Sequence, residues 1–392
     1  MLKFIRKHKF LTTIVLIFLI IIITCATYVF SKLNKLSYHD GTLSDTISES
    51  TDQLLNDATG DETGNNADAN DSNGTSGLTG ANEKNDTDDS TDQTDSSEED
   101  ASIVSPDEAA TLETAEAILS DADLASDKDI FNILLLGTDE RVAKFSTNAR
   151  ADSIMILSLN KRDNTMKLVS LQRGMGFPIL EGKYKGQYDW LTHLFRYGGA
   201  DLMMKSIREV LNVDVQYYVR VNFNTFTQLI DSVGGVDVEL TATEAAGLNG
   251  EVRTNARTKH KVYEGANHLD GYDALQYGRL RYTDSDWKRV QRQRNVIQAV
   301  VSAAGDMNLF EINEMLDTVL PLVQTNLTST DILGLIPYVP AVLGQEFEQM
   351  TIPVKGTYGS MEGMGGRTLY AVDFQENSEI LREFLYGTEA ER

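Results

Sequence analysis

Cysteine and positive charge are both scarce in this chain of 392 residues. The one cysteine, Cys25, lies in an apolar run, so the sequence offers neither a disulfide framework nor a thiolate metal site. With 35 Lys and Arg against 59 Asp and Glu, the net charge is −24, which argues against a nucleic-acid partner. The stability of the folded part must therefore come from a hydrophobic core.

Charge is also absent from residues 10–30, an almost entirely apolar run that is long enough to span a bilayer. Four cations precede the run and two follow it closely. The positive-inside rule therefore predicts a cytoplasmic tail at 1–9, a transmembrane anchor at 10–30 and an exported remainder. A cleaved signal peptide and a lipoprotein processing site at Cys25 are the alternative interpretations.

The next segment, residues 31–127, is rich in Asp, Glu, Ser, Thr, Asn and Gly. Its positions 41–100 hold a single cation, Lys84, and so contribute roughly two-thirds of the negative imbalance. Such a composition buries too little apolar surface to fold, which predicts a disordered extracellular linker, with a short helix near 107–125. A coil of about ninety residues has an end-to-end distance of roughly 50 Å, so it could hold a domain, residues 128–392, away from the membrane.

Three apolar stretches of this domain, 131–137, 153–159 and 166–171, have the length and composition of strands. Charged side chains stand at their ends: Asp139, Arg141, Arg150, Asp152 and Arg173. Ligands of α/β proteins collect at strand ends. There Asp139 and Asp152 could hold a divalent ion, and the arginines could hold the phosphates that share this ion. Strands and helices alternate through the rest of the domain, which predicts the α/β class.

Positive charge is concentrated in residues 277–293 of this otherwise acidic protein, at Arg279, Arg281, Lys288, Arg289 and Arg292. Arg279 and Arg281 are two residues apart, so an extended backbone would point both guanidinium groups to one side. Such a cluster predicts an anionic partner. A solvated basic face paired with the protein's own carboxylates is the alternative.

A helix is predicted from Asp286 by the spacing of the apolar residues that follow. It would bring Asp286, Arg289 and Gln293 into one narrow sector. Ser285 or Asp286 would cap it, and the positive end of the helix dipole would then help the arginines to hold a phosphate group.

Other segments carry less chemistry. His193 is interpreted as structural, and residues 245–262 are predicted to form a mobile basic loop. Two later segments, about 309–323 and 330–343, are apolar over broad helical faces. They could close the core or line a slot for a lipid tail.

These motifs resemble the LytR-CpsA-Psr family of bacterial cell-wall proteins in order and spacing, from about residue 132 to the C-terminus. The matching motifs are NILLLGTDER, ARADSIMILSLN, SLQR, the Gly-Gly helix, FTQLIDSVGGVDV, HLDGYDALQYGRLR and DxxRxxRQ. The resemblance implies an α/β fold with three layers, in which helices flank a central mixed β-sheet.

The resemblance also implies an activity. Family members move a glycopolymer, such as teichoic acid or capsular polysaccharide, from an undecaprenyl-pyrophosphate carrier onto peptidoglycan. This chain is therefore expected to be a Mg²⁺-dependent phosphotransferase at the outer face of the cell membrane, with that lipid-linked polymer and peptidoglycan as partners. A non-catalytic binder of polyprenyl phosphates, acting as a regulator or scaffold, and a polyprenyl-pyrophosphate pyrophosphatase are the alternatives.

Residue by residue, the resemblance implies that Asp139 and Asp152 bind Mg²⁺. It assigns the pyrophosphate to Arg150, Arg173, Arg279, Arg281, Arg289 and Gln293. We assign Arg292, from the same cationic cluster, to the lipid pyrophosphate as well. Asp286 is the candidate that orients or deprotonates the incoming sugar hydroxyl, although helix capping explains this residue equally well.

Two positions depart from the family's pattern. Gly174 stands where the family usually has Asp directly after the arginine that corresponds to Arg173. Trp190 stands where a lysine commonly opens the motif that ends in His193. The first change is expected to leave Arg173 less well oriented, and the second to weaken phosphate binding.

Overall fold

The computed structural model describes residues 124–140, 145–146, 148–281, 285–343 and 345–387, together with Ser31, Lys35, Ser37–Tyr38, Ala115 and Ile118. Within this part of the chain, no helix is both long and apolar enough to cross a membrane. The predicted anchor at 10–30, most of the predicted linker and Arg141 lie outside the described residues.

The domain alternates strands and helices, as predicted. The strands are β1 (Ser37–Tyr38), β2 (Ile130–Thr138), β3 (Ala151–Asn160), β4 (Thr165–Leu171), β5 (Gly176–Pro178), β6 (Tyr188–Trp190), β7 (Tyr217–Val221), β8 (Val236–Leu240), β9 (Gly265–Leu269), β10 (Gln324–Thr325), β11 (Glu348–Ile352), β12 (Tyr358–Glu362) and β13 (Thr368–Val372). The helices are α1 (Leu191–Leu211), α2 (Phe223–Ser232), α3 (Ala242–Leu248), α4 (Gly271–Arg279), α5 (Asp286–Asp306), α6 (Leu309–Val319), α7 (Ser329–Leu335), α8 (Val339–Val342) and α9 (Phe374–Tyr386). Short 3₁₀ turns lie at Leu320–Leu322, Ile336–Tyr338 and Met364–Gly366.

Seven strands form the central sheet, in the order β1-β10-β7-β2-β3-β4-β11. β2, β3 and β4 are an antiparallel meander. β7 pairs parallel to β2, and β11 pairs parallel to β4. The sheet is therefore mixed, as the family resemblance implies.

Helices cover both faces of this sheet. On one face, Leu134 of β2 packs in a core that includes Met203 of α1 and Leu381 of α9. On the other face, Met155 of β3 packs against Ile297 of α5. Successive strand residues point to opposite faces, so an apolar strand buried on both sides needs a helical layer on each. The three predicted layers are confirmed.

The folded unit begins earlier than the predicted boundary at residue 128. Ala115 and Ile118 are helical and buried in the same core as β2, and Ala125 forms a β-bridge with the segment after α1. β1, at residues 37–38, forms one edge of the central sheet. The described apolar residues of the predicted linker at 31–127 therefore pack on surfaces that distant parts of the chain supply.

Helix α1 begins at Leu191, seven residues before Gly198 of the Gly-Gly motif. Gly198 and Gly199 have non-helical backbone angles inside it, and Gly199 has a left-handed φ of 63°. A Cβ on Gly198 would lie 2.5 Å from the Cβ of Leu202. The two glycines therefore mark a kink inside α1.

The predicted loop at 245–262 overlaps α3, which begins at a capping box between Thr241 and Glu244. Residues 249–262 contain no helix or strand, so the loop prediction is right for them. The Asn249 side chain bonds both the N–H and the carbonyl of Val262 and so fastens this loop at its ends.

Candidate active site

The first part of the site forms where β2 ends and β3 begins. β2 pairs antiparallel with β3, and the N–H of Asp139 donates to the carbonyl of Arg150 at 3.2 Å. In return, the Asp139 carboxylate accepts from the Arg150 N–H at 3.0 Å and from its Nε at 3.1 Å. The sheet register thus brings together two residues that lie eleven positions apart.

The second part joins β3, β4 and α5. Arg173 follows β4, and its Nη1 donates to Asp152 of β3 at 3.3 Å. Its Nη2 lies 3.6 Å from the carboxylate of Asp286 in the first turn of α5. Arg173 is therefore held by two carboxylates. The expectation that Gly174 leaves Arg173 poorly oriented has no support in this geometry.

The start of α5 presents a bidentate ion pair. Arg289 donates from Nη1 to Asp286 at 2.7 Å and from Nη2 at 2.9 Å. The predicted helix and the predicted approach of these two residues are both confirmed. Ser285 is the N-cap residue, but its side chain makes no capping hydrogen bond. The Asp286 carboxylate faces the two arginines instead.

The charges of these groups are coupled. Burial alone would raise the pKa of Asp152, but Arg173, Arg289, Arg150 and Arg281 outweigh it and hold that pKa below its usual value. Burial lowers the pKa of Arg289 to about 10, against the raising effect of Asp286. Asp152 therefore stays ionised within a group of arginines that includes Arg281.

Together, four arginines and three aspartates make up this cluster, which we call the arginine cluster: Arg150, Arg173, Arg281 and Arg289 with Asp139, Asp152 and Asp286. Its formal charge is positive by one. Guanidinium groups bind phosphate oxygens with a fixed fork of donors, so an anion with several oxygens fits the cluster better than a single point charge does.

Arg279 takes a different position from the one predicted. It is the last residue of helix α4, and its guanidinium stacks over the Phe223 ring at 4.7 Å. The prediction of one extended segment with Arg279 and Arg281 side by side is therefore wrong. Asn255 fixes the backbone between them, because it donates to the Arg279 carbonyl at 2.8 Å and accepts from the Arg281 N–H at 2.7 Å. Asn255 lies in the predicted basic loop, and no sequence signal marked it.

Gln293 and Arg292 are adjacent in α5 but differ in exposure and in hydrogen-bond partners. The Gln293 side chain is half-buried and donates to the Gly278 carbonyl at 3.4 Å, next to Arg279. Arg292 is 1% exposed, and it donates to Glu244 at 3.1 Å and to the Leu280 carbonyl at 2.7 Å. Arg292 is thus enclosed by the protein itself, which favours a structural role, and its assignment to the lipid pyrophosphate stays a prediction.

Arg196 of α1 belongs to this region, although sequence reasoning missed it. Burial lowers its pKa, and so does the neighbouring charge of Arg150, while Asp139 raises it. The preceding residue, Phe195, packs under the guanidinium of Arg220 at 4.5 Å. Arg220 in turn bonds Glu140, which directly follows Asp139. Arg196 therefore lies beside the arginine cluster on the α1 side.

Two guanidinium N–H donors near the cluster have no acceptor among the described residues. The Nε atoms of Arg196 and Arg289 are buried and have no hydrogen-bond partner within the described part of the chain. A buried donor without a partner costs about 1–3 kcal/mol, which an incoming oxygen would recover. Knowledge that α1 starts at Leu191 would have pointed to Arg196. The N–H of Thr192 donates to the Arg173 carbonyl, and this bond places the first turns of α1 against the cluster.

A second, buried network surrounds Asp189 at the end of β6. The Asp189 carboxylate is fully buried and accepts from Tyr197 at 2.5 Å, while His193 Nδ1 lies 3.0 Å from it. Despite burial, hydrogen bonds from His193 and Tyr197 hold the pKa of Asp189 below its usual value. The Trp190 indole donates to the Thr368 carbonyl at 2.8 Å. His193 is thus a bonded interior residue, in keeping with its structural interpretation.

The donor set for a metal consists of Asp139 and Asp152. Both carboxylates are partly exposed, and they lie at the same end of the β2–β3 pair. One or two carboxylates together with substrate phosphates are the usual ligands of Mg²⁺, so these residues fit that ion. In the described residues, the group of three candidate ligands close enough to share an ion lies elsewhere, at His260, Asp270 and Asp273. There the Asp273 carboxylate already accepts from the N–H groups of Lys259 and His260.

Comparison with known proteins agrees with this architecture. The polyisoprenyl-teichoic acid–peptidoglycan teichoic acid transferase TagT of Bacillus subtilis (strain 168) is 31% identical over 227 residues, which are 57% of this chain and 68% of that protein. The corresponding transferase TagU of Bacillus cereus (strain ATCC 14579) is 36% identical over 200 residues, 50% of this chain and 60% of that protein. A solved structure of TagT bound to LIIa-WTA aligns with a TM-score of 0.53 at 27% identity, over 67% of this chain and 92% of that one.

The family assignment rests on a longer match. The LytR_cpsA_psr family profile matches residues 76–384, which is most of the chain and includes every residue of the arginine cluster. The protein described here therefore belongs to the LytR_cpsA_psr family.

Proposed function

We propose that this protein transfers an anionic glycopolymer, of the teichoic acid or capsular polysaccharide type, from an undecaprenyl-pyrophosphate carrier to peptidoglycan. The observation that carries the proposal is the arginine cluster, which combines four arginines: Arg150 before β3, Arg173 after β4, Arg281 after α4 and Arg289 near the start of α5. The names of the relatives TagT and TagU support the same reaction class.

The cluster suits cleavage of a pyrophosphate. The acceptor hydroxyl oxygen forms a bond to the phosphorus that carries the polymer, and the bond from this phosphorus to the bridging oxygen breaks. The lipid leaves as its monophosphate, and the product is a phosphodiester. Negative charge grows on the bridging oxygen during this step, so guanidinium groups fixed around it stabilise the transition state more than the ground state.

The proton of the acceptor hydroxyl needs a base. Asp286 is the carboxylate that we assign to this role, because it lies in the first turn of α5 between Arg173 and Arg289. The two arginines keep the carboxylate in one orientation. A general base within hydrogen-bond reach contributes about 10²–10⁴-fold to the rate.

Asp139 and Asp152 are the residues that would hold Mg²⁺. When bound, the ion would neutralise charge on the phosphate oxygens that it shares with the arginines. Titration of Mg²⁺ by calorimetry, in the presence of a polyprenyl pyrophosphate, tests this assignment without a turnover assay. Asp139→Asn is expected to remove the binding heat, whereas an exposed carboxylate outside the cluster, Asp306→Asn, is expected to leave it unchanged.

The location of the protein is part of the same proposal. The apolar run at 10–30 anchors the chain in the cell membrane, with residues 1–9 in the cytoplasm and the folded domain outside. The support is the length of the run and the positive residues before it. This location gives the site access to a lipid-linked donor and to peptidoglycan.

Turnover of a polyprenyl-pyrophosphate-linked disaccharide by the full chain in phospholipid nanodiscs tests the function. The assay is run with Mg²⁺, with and without peptidoglycan fragments. Arg281→Ala is the test variant. Lys288→Ala is its matched control, because Lys288 is an exposed cation beside Arg289 on the same helix.

Consumption of the donor that depends on the acceptor, is lost in Arg281→Ala and is retained in Lys288→Ala supports the transferase. Consumption without an acceptor would identify a pyrophosphatase. Donor binding without turnover, under conditions in which TagT turns over, would identify a non-catalytic binder.

A further inference from the structure

The start of the chain is attached to one edge of the domain. In β1, Ser37 pairs with Gln324 and Tyr38 pairs with Thr325 of β10. Lys35 forms an ion pair with Asp317 of α6. β10 lies between α6 and α7 in the chain, so these two helices flank the place where the N-terminal segment joins the sheet.

This attachment changes which residues set the distance to the membrane. The apolar run ends at residue 30, and residues 31–36 alone separate it from β1. Six extended residues reach at most about 20 Å. The acidic segment leaves the domain after β1 and returns to its core at Ala115, so both of its ends belong to the same folded unit. Its length therefore does not separate the domain from the bilayer.

The same edge of the domain is unusually apolar. In the part of the chain that the structure describes, six large hydrophobic side chains are exposed. Four of them lie on the elements that flank β10: Phe310, Leu333, Ile336 and Val339. Phe310 of α6 is 74% exposed. Leu333, Ile336 and Val339 follow one another at intervals of three along consecutive helical turns, a spacing that keeps them on one side.

We propose that this face, formed by β1, α6, α7 and α8, lies against the bilayer surface and is held there by residues 31–36. The inference depends on the proposed membrane anchor, though not on the transferase reaction. A bilayer is the apolar partner that the connection brings within reach of this face. Exposed apolar side chains on helices that lie along a membrane insert at the boundary between headgroups and acyl chains.

The arrangement would also place the site near its lipid donor. β3 carries Asp152, and it is four strand spacings from β1, roughly 19 Å at the usual spacing. The pyrophosphate of a lipid in the same bilayer then lies roughly 20 Å from the arginine cluster. A coil of about ninety residues would instead leave the cluster some 50 Å away.

The test uses the full chain with Cys25→Ser, reconstituted in vesicles of phosphatidylglycerol and phosphatidylethanolamine that contain nitroxide-labelled lipid. A fluorophore is attached at Phe310→Cys in one variant and at Gln349→Cys in another. Gln349 is exposed on β11, the opposite edge of the sheet, about 29 Å from β1 at six strand spacings. We expect the lipid nitroxide to quench the label at position 310 and to leave the label at position 349 bright.

A pair of insertions tests the connection itself. The same segment of twenty Gly and Ser residues is placed between residues 33 and 34 in one variant and between residues 72 and 73 in the other. The first insertion lets the domain move away by roughly 25 Å, so we expect quenching at position 310 to fall. The second lengthens only the acidic segment, and we expect no change.

Each outcome decides the inference. Equal quenching at positions 310 and 349, or equal effects of the two insertions, overturns it. Release of the protein from the vesicles by a carbonate wash would overturn the anchor and this inference together. Retention in the vesicles without quenching at position 310 would overturn this inference alone and leave the face to another partner, such as a second copy of the chain.

Discussion

The guanidinium of Arg173 lies 3.6 Å from the carboxylate of Asp286, across the gap between the end of β4 and the start of α5. The same guanidinium donates to Asp152 of β3 at 3.3 Å. One side chain thus fixes three elements of the site relative to each other. Asp286 in turn lies between two arginines and is positioned by charge, because Ser285 contributes no capping bond.

Asp286→Asn tests the role of this carboxylate. Asparagine keeps an acceptor for Arg289 but is not a base, so we expect kcat to fall by about 10²–10⁴-fold and the KM for the donor to change little. Ser285→Ala serves as the control, and its turnover should match that of the wild type. A kcat for Asp286→Asn close to the wild-type value would show that another group takes the proton.

Gly174→Asp tests the first departure from the family's pattern. Arg173 already has two carboxylate partners, so an added carboxylate beside it should change kcat by less than about threefold. A Cβ at position 174 would lie 3.3 Å from the Tyr370 ring, so we expect a stability loss of about 1 kcal/mol. Turnover and urea unfolding measure the two effects separately, and a large gain in kcat would restore the original expectation.

Asp152 predicts a dependence of stability on pH. The surrounding arginines hold its pKa below the usual value in the folded state. The ionised carboxylate therefore stabilises the fold above the unfolded pKa of about 4, and this contribution is lost as the pH falls through the folded value. We expect the free energy of unfolding to decline less steeply between about pH 5 and pH 2 in Asp152→Asn than in the wild type.

The measurement for Asp152 is urea unfolding at a series of pH values. Asp306→Asn, which removes an exposed carboxylate outside the cluster, is the control and should keep the wild-type slope. Identical slopes for wild type and Asp152→Asn would mean that Asp152 gains nothing from the arginines on folding.

The sequence predicted those parts of the site that depend on local order along the chain. Strands β2, β3 and β4 followed from apolar runs, and the approach of Asp286 to Arg289 followed from helical spacing. The enclosure of Arg292 depends on its contact with Glu244, which lies forty-eight residues away in the chain. No local sequence pattern reveals such a contact. Arg196 was missed for a related reason. The glycines at the kink, Gly198 and Gly199, made it hard to recognise from the sequence that the preceding residues are helical.

Arg292→Met tests the structural assignment of that residue. Removing one partner of a buried ion pair leaves Glu244 without its charge partner, which costs about 3–5 kcal/mol. In a domain of this size, we expect Tm to fall by roughly 6–20 °C. Lys288→Met, on the exposed side of the same helix, should leave Tm near the wild-type value.

The same Arg292 variant separates folding from ligand binding. Below its Tm, Arg292→Met should bind a polyprenyl pyrophosphate with nearly wild-type affinity, because the guanidinium is enclosed by Glu244 and the Leu280 carbonyl. Wild-type stability with lost binding would reinstate Arg292 as a pyrophosphate ligand.

Arg196→Met tests whether α1 supplies a phosphate donor. Its buried Nε has no partner within the described residues, and its charge is coupled to those of Arg150 and Asp139. A hydrogen bond to a charged group contributes about 1.5–3 kcal/mol, so we expect the Kd for a polyprenyl pyrophosphate to rise about 10- to 100-fold. Arg196→Lys should recover part of the affinity, since it keeps the charge and loses the fork of donors.

Arg208→Met is the matched control for Arg196, because Arg208 is a partly exposed arginine on the same helix that pairs with Asp214 at 3.2 Å. Calorimetric titration with the full chain in nanodiscs measures all three variants beside Arg281→Ala. Weaker binding in Arg196→Met and Arg281→Ala, but not in Arg208→Met, would show that Arg196 on α1 binds the phosphate. Arg196 would then supply the positive charge that the family's lysine provides at the position of Trp190. Loss of binding in Arg281→Ala with wild-type binding in Arg196→Met would exclude Arg196 from the site and leave the arginine cluster as defined.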